Sequence, residues 1–305
     1  MNACGIIGLG RMGAAAAAHL VEQGHRVVVS DLAQDQVAAL AAKGATPTAS
    51  IKELVRLLPQ PRVVWLMLPA GEAVESVCFA AGQLFDCLAA GDIVIDGGNS
   101  FYRDAVRRAA RFAEKDVSYL DCGSSGGLEG ARSGLCLMLG GERSAFEESE
   151  WLFKALSSPA GDYAYIGPSG SGHFVKMVHN AIEYGMLQAI GEGFELLEEG
   201  PYDVNMAQVT ALWNKGSVIR SWLMELLHDA LVKDPGLAGI GGVVGGGSTG
   251  SWAIEEAWRA GVPFATIAAS YAARLQTRQS EAFSGKVVAA LRNEFGGHPI
   301  VPAKK

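Results

Sequence analysis

Gly8-Leu9-Gly10-Arg11-Met12-Gly13 is a G-x-G-x-x-G that follows an apolar run at residues 3–8 and opens the alanine-rich stretch 12–23. A lone G-x-G-x-x-G is weak, but one lying between a strand and a helix is the phosphate turn of a dinucleotide-binding fold. Its glycines permit a tight turn, close approach of a pyrophosphate and close packing of helix on sheet. The helix N-terminus then faces the phosphate charge. The next strand, 26–30, ends at Asp31, eighteen residues beyond Gly13. A carboxylate there, with Leu32 beside it, accepts hydrogen bonds from an adenosine ribose and repels a 2′-phosphate, so the spacing predicts NAD rather than NADP. The plainer alternative is that Asp31 only caps the helix that follows.

Outward from this turn, β-rich runs at 3–8, 26–30, 62–68, 92–96, 117–121, 135–139 and 163–166 are expected as strands. Helix-patterned stretches such as 12–23, 34–43 and 103–114 lie between the first five. That alternation predicts an α/β fold with a doubly wound parallel sheet. The third strand ends at Leu68-Pro69-Ala70, on the edge where such sheets hold a cofactor. After residue 167 no strand is expected. Helical patterns cover 171–199, 206–231 and 252–294, so the chain is expected to divide into a Rossmann NAD-binding domain, 1–167, and an all-helical substrate and dimerisation domain, 168–305. Residues 236–250 contain eight glycines, read as a surface loop whose backbone N–H groups can also approach a ligand.

Composition narrows the classes. A net charge of −7 without long runs of one sign argues against a nucleic-acid partner and against a basic membrane-binding face. No segment is apolar enough to span a membrane, and the N-terminus lacks the form of a signal peptide. Five cysteines, an odd number without a C-x-x-C pair, read as reduced thiols of a cytoplasmic protein rather than as a metal site or disulfide framework. No H-x-x-x-H pair or Cys/His cluster suggests a metal.

Three further segments carry candidate chemistry: Asp96-Gly97-Gly98-Asn99-Ser100, the run from Gly123 to Arg132 (GSSGGLEGAR), and the run from Gly170 to Tyr184 (GSGHFVKMVHNAIEY). In the last, Lys176, His179, Asn180 and Glu183 stand at i, i+3, i+4 and i+7, on one helical face, with Tyr184 alongside. Such a stripe is commonly a solvated face. This helix is rich in Gly and Ala, which suits close central packing, and there a Lys and a Glu are costly unless they pair or react.

Together these motifs resemble the 6-phosphogluconate dehydrogenase family, in its short, NAD-preferring bacterial branch, over nearly the whole chain. The C-terminal run Arg292 to His298 is similar to that family's R-x-x-F-G-x-H tail. The resemblance implies that Lys176 is the base removing the substrate's C3 hydroxyl proton and Glu183 the acid protonating C1 after decarboxylation. Asn99, Ser125, Gly126, Gly127, His179 and Asn180 would hold the sugar acid and its carboxylate. Tyr184, Arg274, Arg292 and His298 would reach its far, anionic end. It also implies a homodimer or dimer-based homotetramer in which the tail serves the partner's site. A base must be unprotonated near neutral pH, so a lowered Lys176 pKa is expected from burial or a nearby positive group.

The family carries Lys or Arg just before the tryptophan that ends the glycine-rich loop; here that position is Ser251, before Trp252. Two readings stay open: the remaining cations suffice for a phosphate, or the terminal group is a sulfonate or a plain hydroxyl. Two rivals also remain. A β-hydroxyacid dehydrogenase of the 3-hydroxyisobutyrate type shares the fold and the lysine without decarboxylating. A non-catalytic NAD-binding regulator would retain only the fold.

Overall fold

The structure is a computed structural model that describes residues 2–279, 282–296 and 299. Eight strands form one sheet among the described residues: β1 Ala3–Ile7, β2 Arg26–Ser30, β3 Thr46–Pro47, β4 Val63–Leu66, β5 Ile93–Asp96, β6 Ser118–Ser125, β7 Cys136–Gly140 and β8 Tyr163–Gly167. The helices of this half are α1 Arg11–Glu22, α2 Gln34–Ala41, α3 Ile51–Leu57, α4 Glu72–Phe79, α5 Leu84–Cys87, α6 Tyr102–Ala113, α7 Gly127–Ser133 and α8 Arg143–Leu156. Helices α9 Ser171–Glu198, α10 Met206–Gly216, α11 Trp222–Lys233, α12 Ser248–Arg259, α13 Ala265–Gln276 and α14 Phe283–Gly296 follow.

The sheet order is β3-β2-β1-β4-β5-β6-β7-β8. The strands from β3 to β6 are parallel, as the alternation predicted, but β7 runs antiparallel to β6, and β8 is parallel to β7. The reversal has a local cause. Only residues 126–135 separate β6 from β7, and a parallel crossover needs a dozen or more. The two-residue β3 escapes sequence reading because it is too short to show a period, and its Pro47 suits an edge. Strand β6 also outruns its expected end at residue 121 and continues through Ser125.

Helix α1 forms because RMGAAAAAHLVE is a run of strong helix formers. Its buried Gly13, Ala16, Ala17 and Leu20 give it a narrow face that lies close on the sheet. Two apolar clusters cover the two faces. One gathers Ile6, Leu20, Val29, Trp65, Ile95 and Phe153, and the other Val28, Leu54, Leu66, Val94 and Phe112.

The chain divides into two compact units, Met1–His179 and Asn180–Lys305. The turn after β8 marks where strands stop, yet the first unit keeps the opening turns of α9. Gly172 explains this: a Cβ on it would lie 2.3 Å from the Met138 carbonyl and 2.6 Å from that of Asp121. The helix thus starts backbone-to-backbone on β6 and β7. In the second unit, the helical pattern over 206–231 is interrupted after Gly216. Helix α10 starts at an Asn205 cap accepting from the Gln208 N–H at 2.9 Å, and α11 at a Ser221 cap accepting from Met224 at 3.2 Å. The pattern over 252–294 resolves into α12, α13 and α14.

Candidate active site

The phosphate turn is built by close approach. Gly8 has φ +94°, and a Cβ there would lie 2.4 Å from the Met67 carbonyl; a Cβ on Gly13 would lie 2.0 Å from the Gly8 carbonyl. Over Gly10 nothing comes within 4 Å, so its backbone faces open space. That space is a cavity of about 400 Å³ lined by Gly10, Arg11, Met12, Gly13, Met67, Leu68, Pro69, Gly97, Gly98, Asn99 and Ser124. A pyrophosphate fits this cradle: glycines on one side, the start of α1 beneath it, and no side chain over Gly10. Leu9 is buried in the core and contributes backbone only, while Leu32 is fully exposed and Ala70 is exposed beyond the lining.

Asp31 does not cap α2, whose cap position is Ala33. Its carboxylate instead accepts the N–H of Leu9 on one oxygen and that of Ala33, at 2.8 Å, on the other. The acid therefore fastens the first turn of the phosphate loop to the end of β2. Sequence spacing identified Asp31 without disclosing this use.

Met67 joins the cavity without having been singled out, and Gly97, Gly98 and Ser124 join it from segments quoted for their chemistry but not assigned to the cofactor. The paired glycines after Asp96 had a readable signal. A Cβ on Gly97 would meet the Trp65 ring at 2.4 Å, and one on Gly98 the Leu68 carbonyl at 2.7 Å. Ser124 Oγ donates to the Gly97 carbonyl at 3.3 Å, joining two of the three segments.

Within the first unit Lys176 is buried, 8% exposed. Its Nζ lies 3.2 Å from His179 Nδ1, and His179 Nε2 lies 3.1 Å from Ser125 Oγ. These three side chains form one continuous relay from α9 to the end of β6. Gly126 caps α7 in a left-handed conformation, and Gly127 also has positive φ, +58°. Gly123 sets the height of the lysine, since a Cβ on it would come 2.4 Å from Lys176 Cβ.

Below the relay lies a buried charge cluster. Asp96, wholly buried, accepts from Tyr119 Oη at 2.9 Å, from Arg108 at 3.3 Å and, on its other oxygen, from the Gly98 N–H at 3.1 Å. Arg108 also pairs with Glu75 at 2.8 Å. Burial works against the Asp96 carboxylate, but His173, Ser100 and Arg108 outweigh it and hold its pKa at about 2. Asp121 accepts the N–H groups of Gly170, at 2.6 Å, and His173, at 2.8 Å, at the start of α9.

In the second unit Asn180, Glu183 and Tyr184 are half-buried on α9. The Arg274 guanidinium stacks 3.7 Å from the centroid of the Tyr184 ring. A Cβ on Gly250 would touch Tyr184 at 2.7 Å and Tyr271 at 2.8 Å, so the start of α12 lies tightly against both rings. Ser251 Oγ donates to the Ser248 carbonyl at 2.8 Å. Arg278 donates to the carbonyls of Val244, at 2.8 Å, and Gly246, pinning the glycine-rich loop. Arg292 is exposed on α14, and His298 lies outside the described residues. Among the described residues no group of three His, Cys, Asp or Glu side chains is placed to hold a metal, and no helix is long and apolar enough to cross a membrane.

Residues 3–167 match the family described as the NAD binding domain of 6-phosphogluconate dehydrogenase, and residues 172–290 match the C-terminal domain of 6-phosphogluconate dehydrogenase. The chain is 43% identical over 297 residues to the NAD(+)-dependent, decarboxylating 6-phosphogluconate dehydrogenase of Haloferax volcanii, covering 97% of each chain. It is 35% identical over 289 residues to the protein of the same name from Bacillus subtilis, of which it spans 61%. The solved 6-phosphogluconate dehydrogenase of Plasmodium falciparum aligns with TM-score 0.82 at 30% identity, over 99% of this chain and 67% of that one. A 3-hydroxyisobutyrate dehydrogenase from Mycobacterium tuberculosis, TM-score 0.71 at 22% identity over 90% of this chain and 93% of that one, shares the fold.

Proposed function

The chain belongs to the 6-phosphogluconate dehydrogenase family, and from that premise we propose that it oxidises and decarboxylates a 6-substituted gluconate with NAD, using Lys176 as the base. The observation that carries the reading is the relay Lys176–His179–Ser125, buried at its lysine end and linked at 3.2 and 3.1 Å. NAD rests on the cradle of Gly8, Gly10 and Gly13, with Arg11, Met12, Leu68, Pro69 and Asn99 along its cavity. Asp31 stands where a 2′-phosphate would meet a carboxylate. When bound, the nicotinamide supplies a hydride acceptor for C3.

Lys176 takes the C3 hydroxyl proton as that carbon is oxidised. The product is a β-keto acid, and the protonated lysine then donates to its ketone oxygen, drawing electrons from the C1–C2 bond as carbon dioxide leaves. Glu183 protonates C1 of the resulting enediol. Ser125, Gly126, Gly127, His179, Asn180 and Asn99 orient the sugar acid, and Tyr184, Arg274, Arg292 and His298 serve its terminal anion. His179, linked to both Lys176 and Ser125, fixes the lysine against the chain it deprotonates.

Phosphate is the preferred terminal group, with Arg274 available beside Tyr184. One observation favours a less charged head, a sulfonate or a hydroxyl: Ser251 stands where the family has a cation, and Arg278 is spent on loop carbonyls. A panel of 6-phosphogluconate, 6-deoxy-6-sulfogluconate and gluconate, following NADH and carbon dioxide together, tests both points. Equimolar release of the two is expected; NADH without carbon dioxide would leave a simple β-hydroxyacid dehydrogenase.

The proposal extends to a homodimer, alone or paired into a tetramer. A groove of about 570 Å³ in the second unit is lined by Leu187, Ile190, Phe194, Leu223, Leu226 and Leu231 among others, which suits a second helical unit.

A further inference from the structure

His173 and Asp96 meet where two of the functional segments join. Asp96 begins the turn that carries Asn99, and His173 stands one helical turn before Lys176 in α9. The His173 side chain is 2% exposed, and its Nε2 lies 3.5 Å from Asp96 Oδ2. Neither ring nitrogen has a hydrogen-bond partner, so the contact with Asp96 is an ion pair of the protonated ring rather than a hydrogen bond. Asp96 and Asp121 are register partners on β5 and β6, so two carboxylates stand side by side next to this ring. The charged groups facing it are Asp96 from β5, Asp121 from β6 and Arg108 from α6, with Tyr119 and Glu75 acting through Asp96 and Arg108. Burial disfavours the imidazolium, yet the two carboxylates raise its pKa above the ordinary histidine value.

The start of α9 is held by its backbone: Asp121 accepts two N–H groups there, and Gly172 lies against the carbonyls of Met138 and Asp121. The His173 side chain adds a contact from the same turn to β5, through Asp96.

We propose that His173 is a positioning residue for Lys176: paired with Asp96, its imidazolium ties the first turn of α9 to the turn carrying Asn99, and so holds the base and the substrate-orienting amide in one register. This rests on Lys176 being the base, and the test separates the two ideas.

The whole enzyme, assayed with NAD and its best sugar acid, is compared with His173→Gln across pH. His173→Gln is expected to lower kcat at least tenfold and to leave the NAD Kd within twofold. It is also expected to abolish the alkaline inflection of kcat, which in the unmodified enzyme coincides with the His173 titration followed by NMR. Wild-type kcat with an unchanged inflection overturns the proposal. So does a loss of NAD affinity as large as the loss of kcat, which would mark a merely structural role. Should His173→Gln not fold, the NMR comparison alone decides: midpoints more than one pH unit apart overturn the proposal. Lys176→Ala is run in parallel. If it keeps turnover, the base assignment falls; if it is inactive while His173→Gln is normal, only the positioning role falls.

Discussion

In the first unit Ile6, Trp65, Ile95, Phe112 and Phe153 are each at most 1% exposed, whereas in the second Tyr202, Val218, Trp258 and Phe283 are 73–100% exposed. Charge follows the reverse pattern. The first unit buries Asp96, Arg108, Asp121, His173 and Lys176, while the second buries polar Thr210, Thr249 and Ser270 but no ionised side chain among the described residues. A sheet covered on both faces can surround charges with partners and hold them at fixed height. Amphipathic helices that leave apolar faces open are completed only when another surface covers them. The contrast teaches that the burial of Lys176 and its link to His179 and Ser125 are built within the first unit, whereas the second unit leaves apolar faces of its helices open.

Lys176→Ala attacks the first half of that contrast and carries the largest expected effect, a fall in kcat of about a thousandfold, within the range for loss of a general base. NAD binding, followed by fluorescence, should stay within twofold. Leu226→Asp attacks the second half by placing a carboxylate in the apolar groove. Sedimentation should then show monomer where the proposal expects the unmodified chain to sediment as a dimer, with turnover reduced about a hundredfold and NAD affinity preserved. Gly123→Ala asks how finely the lysine's height matters. The added methyl has no room at 2.4 Å from Lys176 Cβ, and a displacement of roughly 1 Å costs about a hundredfold or less in kcat. Asp31→Ala should weaken the preference for NAD over NADP by about tenfold, by removing both the carboxylate that repels a 2′-phosphate and the clasp on Leu9. Equal use of the two cofactors before mutation would remove the basis for that assignment.

The smallest effect concerns pH and stability. Asp96 is depressed below the ordinary carboxylate value, so its contribution is complete above about pH 3.8 and is lost as pH falls through about 2. His173 is raised above 6.5, so its contribution is complete below that pH and is lost as pH rises through the elevated value. Between these limits the pair stabilises fully. The gap in Tm between the unmodified chain and His173→Gln should therefore be widest from about pH 4 to 6.5 and narrow on the alkaline side. A gap constant with pH would mean that packing, not charge, holds the ring.

Much of the first unit was legible because its signals are local. The strand at 26–30 and the helix starting at 171 lie where periodicity put them, since a period of two or 3.6 needs only neighbouring residues. The antiparallel turn into β7 was not legible, because strand direction depends on the length of a connection whose ends are set by pairing. The extension of β6 through Ser125 was missed for a related reason: Gly123, Ser124 and Ser125 have little strand propensity and are held there by the ladder to β7. Of the site, the Lys176–His179 spacing was readable on one helix, and their link to Ser125 was not.

The sequence by itself determined the phosphate turn, seven of the eight strands in their order, the helix bearing Lys176 and Glu183, and a family resemblance carried by three motifs. These are properties of short segments, whose glycines and periods act over a few residues. Only the tertiary structure decided that Asp31 grips Leu9 rather than capping α2, that Gly123 sets the lysine's height, and that Asp96 shares its buried charge with Arg108, Tyr119 and His173. Each joins residues far apart in the chain, and a buried charge finds its partner through packing, which no local pattern records.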